Sequence, residues 1–418
     1  MNTLLLLPIL WPLCNALLVA VPRTRTVGIA LAFAAPLTGT LVLFVCERFT
    51  SLWLPSVLFG TLLRLDDAAW VFLLLSSSVW FLAGLFALKS SYSWGFWFFW
   101  LLSMSGNLGL CLAADGVSFY LFFALMSFSA YPLIIAKHTP EALRAGKVYL
   151  VMALLGEVAL LSGMLLAFDA VGDHAFDSLF MRHLPSLSLV LLLVGFGVKV
   201  GVFGLHVWLP LAHSIAPAPA SAVLSGVMLK AGLLGWIRFL PLGQEAHLWL
   251  GFGLAGLGLC GMFGGVLVGL AQKELKPILA YSSVSQMGLI AAVMGIGLAT
   301  PHAREPLQDA VVLYALHHAF VKAGLFFVAG IALHHYVGKV NLTLGILLGL
   351  SLCGAPLSSG AVAKGAIKSA LEGVWLSDVF GWVLFLGAAF STALVVHFFA
   401  VLWRLEHEKT AEENAVIG

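Results

Sequence analysis

The sequence predicts an all-α polytopic membrane protein, and three observations carry that reading. Hydrophobic residues make up 61% of the 418 positions, charged residues only 10%, and the mean hydropathy is +1.05. A soluble chain of this size needs a charged surface of roughly 25% of its residues. Apolar runs of about 18–25 residues recur along the whole length, enough to cross a bilayer as helices, and unpaired backbone groups are too costly in lipid for any other local structure. The runs are separated by short segments that hold most of the Arg, Lys, Asp and Glu.

In chain order the runs place about 13 spans near 2–22, 27–46, 68–88, 94–113, 115–136, 145–168, 187–208, 217–241, 246–271, 276–298, 309–336, 340–374 and 379–403. The first lacks a basic leader segment and reads as a retained span, not a cleaved signal. The seventh is interrupted by HVWLPLAHSIAPAPA, with Pro210, Pro217 and Pro219, and the twelfth by LCGAPLSSG, with Pro356. Breaks of this kind survive in a membrane only where protein or water covers the freed backbone.

Basic residues give the orientation. Eleven follow odd-numbered spans or lie in the tail (Arg23, Arg25, Lys89, Lys137, Arg144, Lys147, Lys273, Lys276, Lys339, Arg404, Lys409), against five after even-numbered spans (Arg48, Arg64, Arg182, Arg238, Arg304). The positive-inside rule then sets the N-terminus outside and the C-terminus in the cytoplasm. The net charge of +2 is scattered, with no basic tract for nucleic acid. Cys14, Cys46, Cys111, Cys260 and Cys353 form no C-x-x-C pair and read as small core residues. The glycines of GFGLAGLGLCG (Gly251–Gly261) lie within a span and serve helix packing, not nucleotide binding. No cofactor or metal is expected.

Five lysines remain inside spans: Lys199, Lys230, Lys322, Lys364 and Lys368, with one acid, Glu157. A lysine at the bilayer centre costs about 2.5–3.5 kcal/mol on insertion scales. Lys368 can reach the interface by snorkelling. Lys199, Lys230 and Lys322 are central, and lysines that gain and lose protons there make relay stations. His206 and His213 at the first break, His317 and His318 a turn before Lys322, and His397 in the last span are placed to bridge them. A lone intramembrane histidine is more often a satisfied helix contact, so the pair beside Lys322 carries the most weight. Lys199 precedes the first break and Lys364 follows the second, about 165 residues later, as an internal repeat would give.

Three motifs in order carry a resemblance. VKVGVFGLHVWLPLAHSIAPAPASAVLSGVMLKAG, KELKPILAYSSVSQMG (Lys273–Gly288) and ALHHAFVKAGLFFVAG (Ala315–Gly330) resemble signatures of the antiporter-like membrane subunits of respiratory complex I and its relatives. The first looks most like the large membrane subunit of group 4 membrane-bound hydrogenases and formate hydrogenlyase. The resemblance implies two inverted five-helix repeats, 93–241 and 246–404, each with a discontinuous helix, after an N-terminal three-helix segment 1–92 and before a cytoplasmic tail 405–418. It implies that Lys199, Lys230, Lys322 with His317 or His318, and Lys364 form the ion path. It also implies partners: other membrane subunits of one redox-driven complex and a peripheral cytoplasmic arm holding the redox centres, with protons or sodium as the ion. A subunit of a cation/proton antiporter or inorganic-carbon uptake complex, and a membrane anchor that has lost transport, are the alternatives. Two departures stand out. Ala124 occupies the position where the family places a fifth-span glutamate, which makes Glu157 the candidate replacement partner for Lys199. The chain also reads as ending soon after span 13, in a charged, solvated tail, where many relatives continue.

Overall fold

The computed structural model describes residues 2–180, 183–242, 246–300, 304–374 and 377–417. Eighteen α-helices follow one another: α1 Leu7–Ala20, α2 Arg25–Ala32, α3 Leu37–Val45, α4 Asp67–Ala87, α5 Trp94–Leu112, α6 Gly116–Ile134, α7 Pro140–Val171, α8 Phe176–Phe180, α9 Ser186–Val200, α10 Trp208–Ile215, α11 Ala218–Val223, α12 Leu229–Phe239, α13 Leu248–Leu270, α14 Leu275–Ala299, α15 Arg304–His334, α16 Lys339–Cys353, α17 Ser359–Ala370 and α18 Ser377–Ile417. A π-helical turn, Leu224–Met228, joins α11 to α12.

Among the described residues ten helices are long and apolar enough to span a bilayer, and α2 with α3, bent by 53°, would make eleven. The expected count of 13 is therefore not reached. The shortfall falls on the two spans read as interrupted, where Gly and Pro cut the chain into α9 and α16, each only 15 residues long. Arg182, one of the charges used for orientation, lies outside the described residues.

Helix starts follow the sequence closely. Asp66, Ser93, Asp115 and Thr139 each accept a backbone N–H of the first turn of α4, α5, α6 and α7, which satisfies donors that lipid could not. Glycines set the tightest packing. A Cβ at Gly258 would stand 2.4 Å from the Ala292 nitrogen of α14, and one at Gly106 would stand 2.6 Å from the Met126 nitrogen of α6. Small residues let membrane helices approach to backbone contact. Gly251 and Gly258 serve this purpose, whereas Gly253 and Gly256 face open space.

Two features depart from the expected pattern. The loop after α3 forms a two-stranded antiparallel hairpin, β1 Ser51–Leu54 and β2 Thr61–Arg64. It is tied to the bundle by Leu62 N–H donating to Asp115 at 2.9 Å and by Arg64 on Asp177 at 2.8 and 3.0 Å. The tail is not simply solvated: α18 continues through it, Glu406 accepts the Val337 N–H at 3.0 Å, and Lys409 donates to the Ala332 and His335 carbonyls at the end of α15. A lysine there satisfies carbonyls that helix geometry leaves free.

Candidate functional site

The two interrupted helices bring lysines to the middle of the bundle. At the first break, Gly201 ends α9 at φ +82°, a conformation that favours glycine, and its N–H bonds the Gly197 carbonyl. The Trp208 indole N–H donates to the Val198 carbonyl at 2.8 Å and pins the start of α10 against the end of α9. Lys199, in the last turn of α9, is 5% exposed and donates to the Tyr149 hydroxyl at 3.2 Å; Tyr149 in turn donates to the Ser127 carbonyl at 2.7 Å. Glu157 is buried in α7 and lines the same small cavity as Lys199, Tyr149 and Ser127.

At the second break, Gly354 ends α16 at φ +86°, a conformation that favours glycine, and a Cβ there would crowd the Lys364 side chain at 3.0 Å. Lys364 on α17 donates to the Cys353 carbonyl at 2.8 Å. Its cavity is lined by Gln286 and Ser391, and Gln286 donates to Ser391 at 2.9 Å while accepting from the Tyr314 hydroxyl.

Between the breaks lies the most buried polar cluster. Lys230 and Lys322 are both 0% exposed. Lys230 donates to the Ser225 carbonyl at 2.5 Å, within the π-helical turn, and lies 2.7 Å from His318 Nδ1. π-turns displace carbonyls from the regular ladder and recur at functional sites. Lys322, one turn beyond His318 on α15, donates to Ser282 at 2.6 Å and to the Leu279 carbonyl. Ser225 and Ser283 hydroxyls meet at 2.9 Å, so α14 touches both lysine neighbourhoods. Adjacent residues on a helix point about 100° apart, so His317 turns away from Lys230: its Nδ1 meets Ser359 at 2.9 Å, and Ser359 meets Ser351 at 2.9 Å beside the second break.

The structure thus brings Lys230, His318 and Lys322 together, turns His317 toward Ser359 at the second break, and leaves Lys199 with Glu157, and Lys364 with its carbonyls, outside that cluster. His213 is fully buried and stacked on Phe326 at 4.7 Å, its ring nitrogens without hydrogen-bond partners among the described residues. His206 is only half-buried, stacks on Phe203 and accepts the Gly204 N–H at 3.2 Å; it does not join the cluster. His397 bonds the Gln272 carbonyl at 2.8 Å, also apart from the lysines. Lys368 is exposed. Pro217 caps α11 and Pro219 lies in its first turn, Pro210 is in the first turn of α10, and Pro356 lies between α16 and α17.

Two basic residues counted as span-end charges are buried instead. Lys276, in the first turn of α14, donates to the Ala216 carbonyl at 2.7 Å. Arg238, at the end of α12, pairs with Asp66 at 2.5 and 2.8 Å. Burial alone would raise the Asp66 carboxyl, but the Arg238 guanidinium outweighs it and holds the group below the ordinary aspartate value. Tyr149, Gln286, Tyr314, Ser282 and Ser359 were not singled out from the sequence. Neutral polar residues are common in membrane helices, and only the fold shows which ones face a lysine.

Residues 113–392 match the family model described as NADH:quinone oxidoreductase/Mrp antiporter, transmembrane. The chain is 33% identical over 245 residues to hydrogenase-4 component B of Escherichia coli, covering 56% of this chain and 36% of that protein. It is 34% identical over 298 residues to NAD(P)H-quinone oxidoreductase chain 4 1 of Synechococcus sp. (strain JA-3-3Ab), covering 69% of this chain and 55% of that one. The chain thus spans little more than half the length of these relatives at most. A chain in the structure of the Mrp complex from Dietzia sp. DQ12-45-1b shares the fold, with a TM-score of 0.80 at 22% identity over 97% of this chain and 79% of that one.

Proposed function

The chain belongs to the NADH:quinone oxidoreductase/Mrp antiporter transmembrane family, and from that premise we propose that it is the proton-translocating membrane subunit of a larger redox-driven complex. The observation that carries the reading is the fully buried Lys230–His318 contact at 2.7 Å, with Lys322 one helical turn away. An ammonium facing Nδ1 requires the neutral imidazole to carry its proton on Nε2, so transfer from Lys230 to Nδ1 leaves a proton free to depart from the other side of the ring. His318 therefore acts as a two-sided bridge. Like charges on neighbouring sites repel strongly in a dry interior, so protons advance along the line and do not accumulate on it.

Lys199 with Glu157 forms the station before this bridge, and Lys364 the station after it. Glu157 takes the role of the acid that Ala124 does not supply. The fourth span of each proposed five-helix unit, 93–241 and 246–404, is the broken one, which supports two inverted repeats behind an N-terminal segment, 1–92. Membrane partners, a cytoplasmic redox arm and an inner-membrane location with the C-terminus inside complete the reading. Sodium fits less well, since it prefers oxygen ligands and the line is built from lysine and histidine.

A second reading, a subunit of a cation/proton antiporter, draws on the fold shared with the Mrp chain. One reconstitution separates the two. In proteoliposomes of the parent assembly, acidification driven by electron transfer, and its loss in Lys322→Ala, supports the redox-driven subunit. Proton movement that needs a cation gradient and no electron donor supports the antiporter.

A further inference from the structure

A cavity of about 860 Å³ opens at the end of the bundle where α4, α6 and α15 finish. Its mouth carries Lys89, Lys137, Lys276, His334 and His335, and no acidic side chain lines it among the described residues. The rest of its lining is largely apolar: Phe86 stacks on Phe327 at 4.9 Å, and Val328, the half-exposed Leu344 and Leu348 continue the wall between α4, α15 and α16. Lys276 is 5% exposed and its ammonium donates to one carbonyl, that of Ala216; Glu274, within its electrostatic reach, sits on the exposed loop.

Two halves of one ligand are written in this shape. A buried ammonium with Lys137 beside it and Glu274 out on the exposed loop leaves room for an anion at the cavity. An apolar lining of Phe86, Phe327, Val328, Leu344 and Leu348 in the same cavity calls for an acyl chain. A transmembrane helix of a partner would fill the cleft but bring no charge to the lysines unless it carried an acid at that depth. A water-filled vestibule would wet the cationic rim but not the Phe86–Phe327 wall. Basic pockets between membrane helices on the positive side of a protein are where anionic lipid headgroups settle.

We infer that this cavity binds an anionic phospholipid, its phosphate held by Lys89, Lys137 and Lys276 and one acyl chain lying against Phe327 and Leu344. Because Lys276 holds the Ala216 carbonyl between α10 and α11, the headgroup clamps the chain that leads from the first break into the π-turn. The inference does not depend on which ion the protein carries.

The test uses the parent assembly stripped of lipid in detergent. Phosphatidylglycerol and phosphatidylcholine with identical acyl chains, and inorganic phosphate alone, are titrated while bound lipid is counted by native mass spectrometry and thermal stability is followed. Phosphatidylglycerol should bind and raise the melting temperature, with phosphatidylcholine much weaker. The double variant Lys89→Gln/Lys137→Gln, altering two exposed side chains, should weaken phosphatidylglycerol about thirtyfold, and Leu344→Trp, which fills the cleft, should displace it with the lysines intact. Equal binding of both lipids would overturn the headgroup assignment. Protection by inorganic phosphate as strong as by the lipid, or unchanged binding in Leu344→Trp, would overturn the acyl chain. Absence of bound phosphatidylglycerol in the unaltered assembly would overturn the site altogether.

Discussion

At the first break Lys199 donates to a tyrosine hydroxyl and shares its cavity with Glu157, whereas at the second Lys364 donates to backbone carbonyls and faces an amide and a serine. Both lysines stand beside a glycine of positive φ, yet one shares its cavity with a carboxylate and the other donates to backbone carbonyl dipoles. Fixed dipoles offer a proton the same environment at every stage. A carboxylate can gain or lose its charge, and so can change how firmly the neighbouring ammonium holds its own. On this reading the first break is the adjustable station and the second the constant one, with the Lys230–His318 bridge between them.

The largest effect expected from breaking this arrangement falls on the bridge, which both stations share. Lys230→Ala should lower proton translocation about a hundredfold or more, the usual scale for losing a positioned acid or base, while His206→Ala and His397→Ala, outside the cluster, leave it unchanged; lumenal pH in proteoliposomes reads all three. The next effect is on the frame of the second break. Gly354→Ala must force a positive φ and push into Lys364, and should cost about 2 kcal/mol, read as a lowered melting temperature. Gly201→Ala shares the backbone strain, but its nearest contact is a leucine methyl at 3.3 Å, so its additional steric cost is smaller. Gln286→Glu would place an acid in the Lys364 cavity. Holding Lys364 charged should slow translocation about tenfold, and Glu157→Gln should have the converse signature, turnover of electrons that no longer tracks proton movement.

The smallest effect is acid sensitivity at the opposite end of the bundle from the lysine-rich cavity. Asp66 lies below its ordinary value of 3.8 in the folded protein. A depressed carboxylate contributes stability that is complete above that value and lost as pH falls through the lower folded one. Asp66→Asn should therefore flatten the loss of stability on strong acidification and leave the neutral range unaffected in slope, which melting curves against pH would show.

How much of this was legible in the sequence differs by element. Membrane spans were readable because long apolar runs in lipid permit only helix, and the breaks because Pro and Gly cluster at two places. Lys199, Lys230, Lys322 and Lys364 stood out because an ammonium is conspicuous among Leu and Val. Lys276 did not, since KELKPI reads as a loop charge meeting a helix start, and only the approach of Ala216 buries it. Arg238 was hidden in the same way, its partner Asp66 being 172 residues away in sequence. The hairpin at 51–64 escaped because its short apolar strands lie between two spans and are fixed by Asp115 and Asp177, both remote. Nor could periodicity say which histidine of the adjacent pair faces Lys230: that depends on the rotation of α15, which packing alone sets.

The measurement that tests the account most directly is proton movement per electron transferred in proteoliposomes of the parent assembly carrying His318→Phe, a change that keeps a planar ring and removes both nitrogens. Electron transfer should persist while proton movement collapses, because Lys230 and Lys322 lose the two-sided bridge between them. Proton movement at the unaltered ratio would contradict it, and would make the buried lysines structural parts of a membrane anchor.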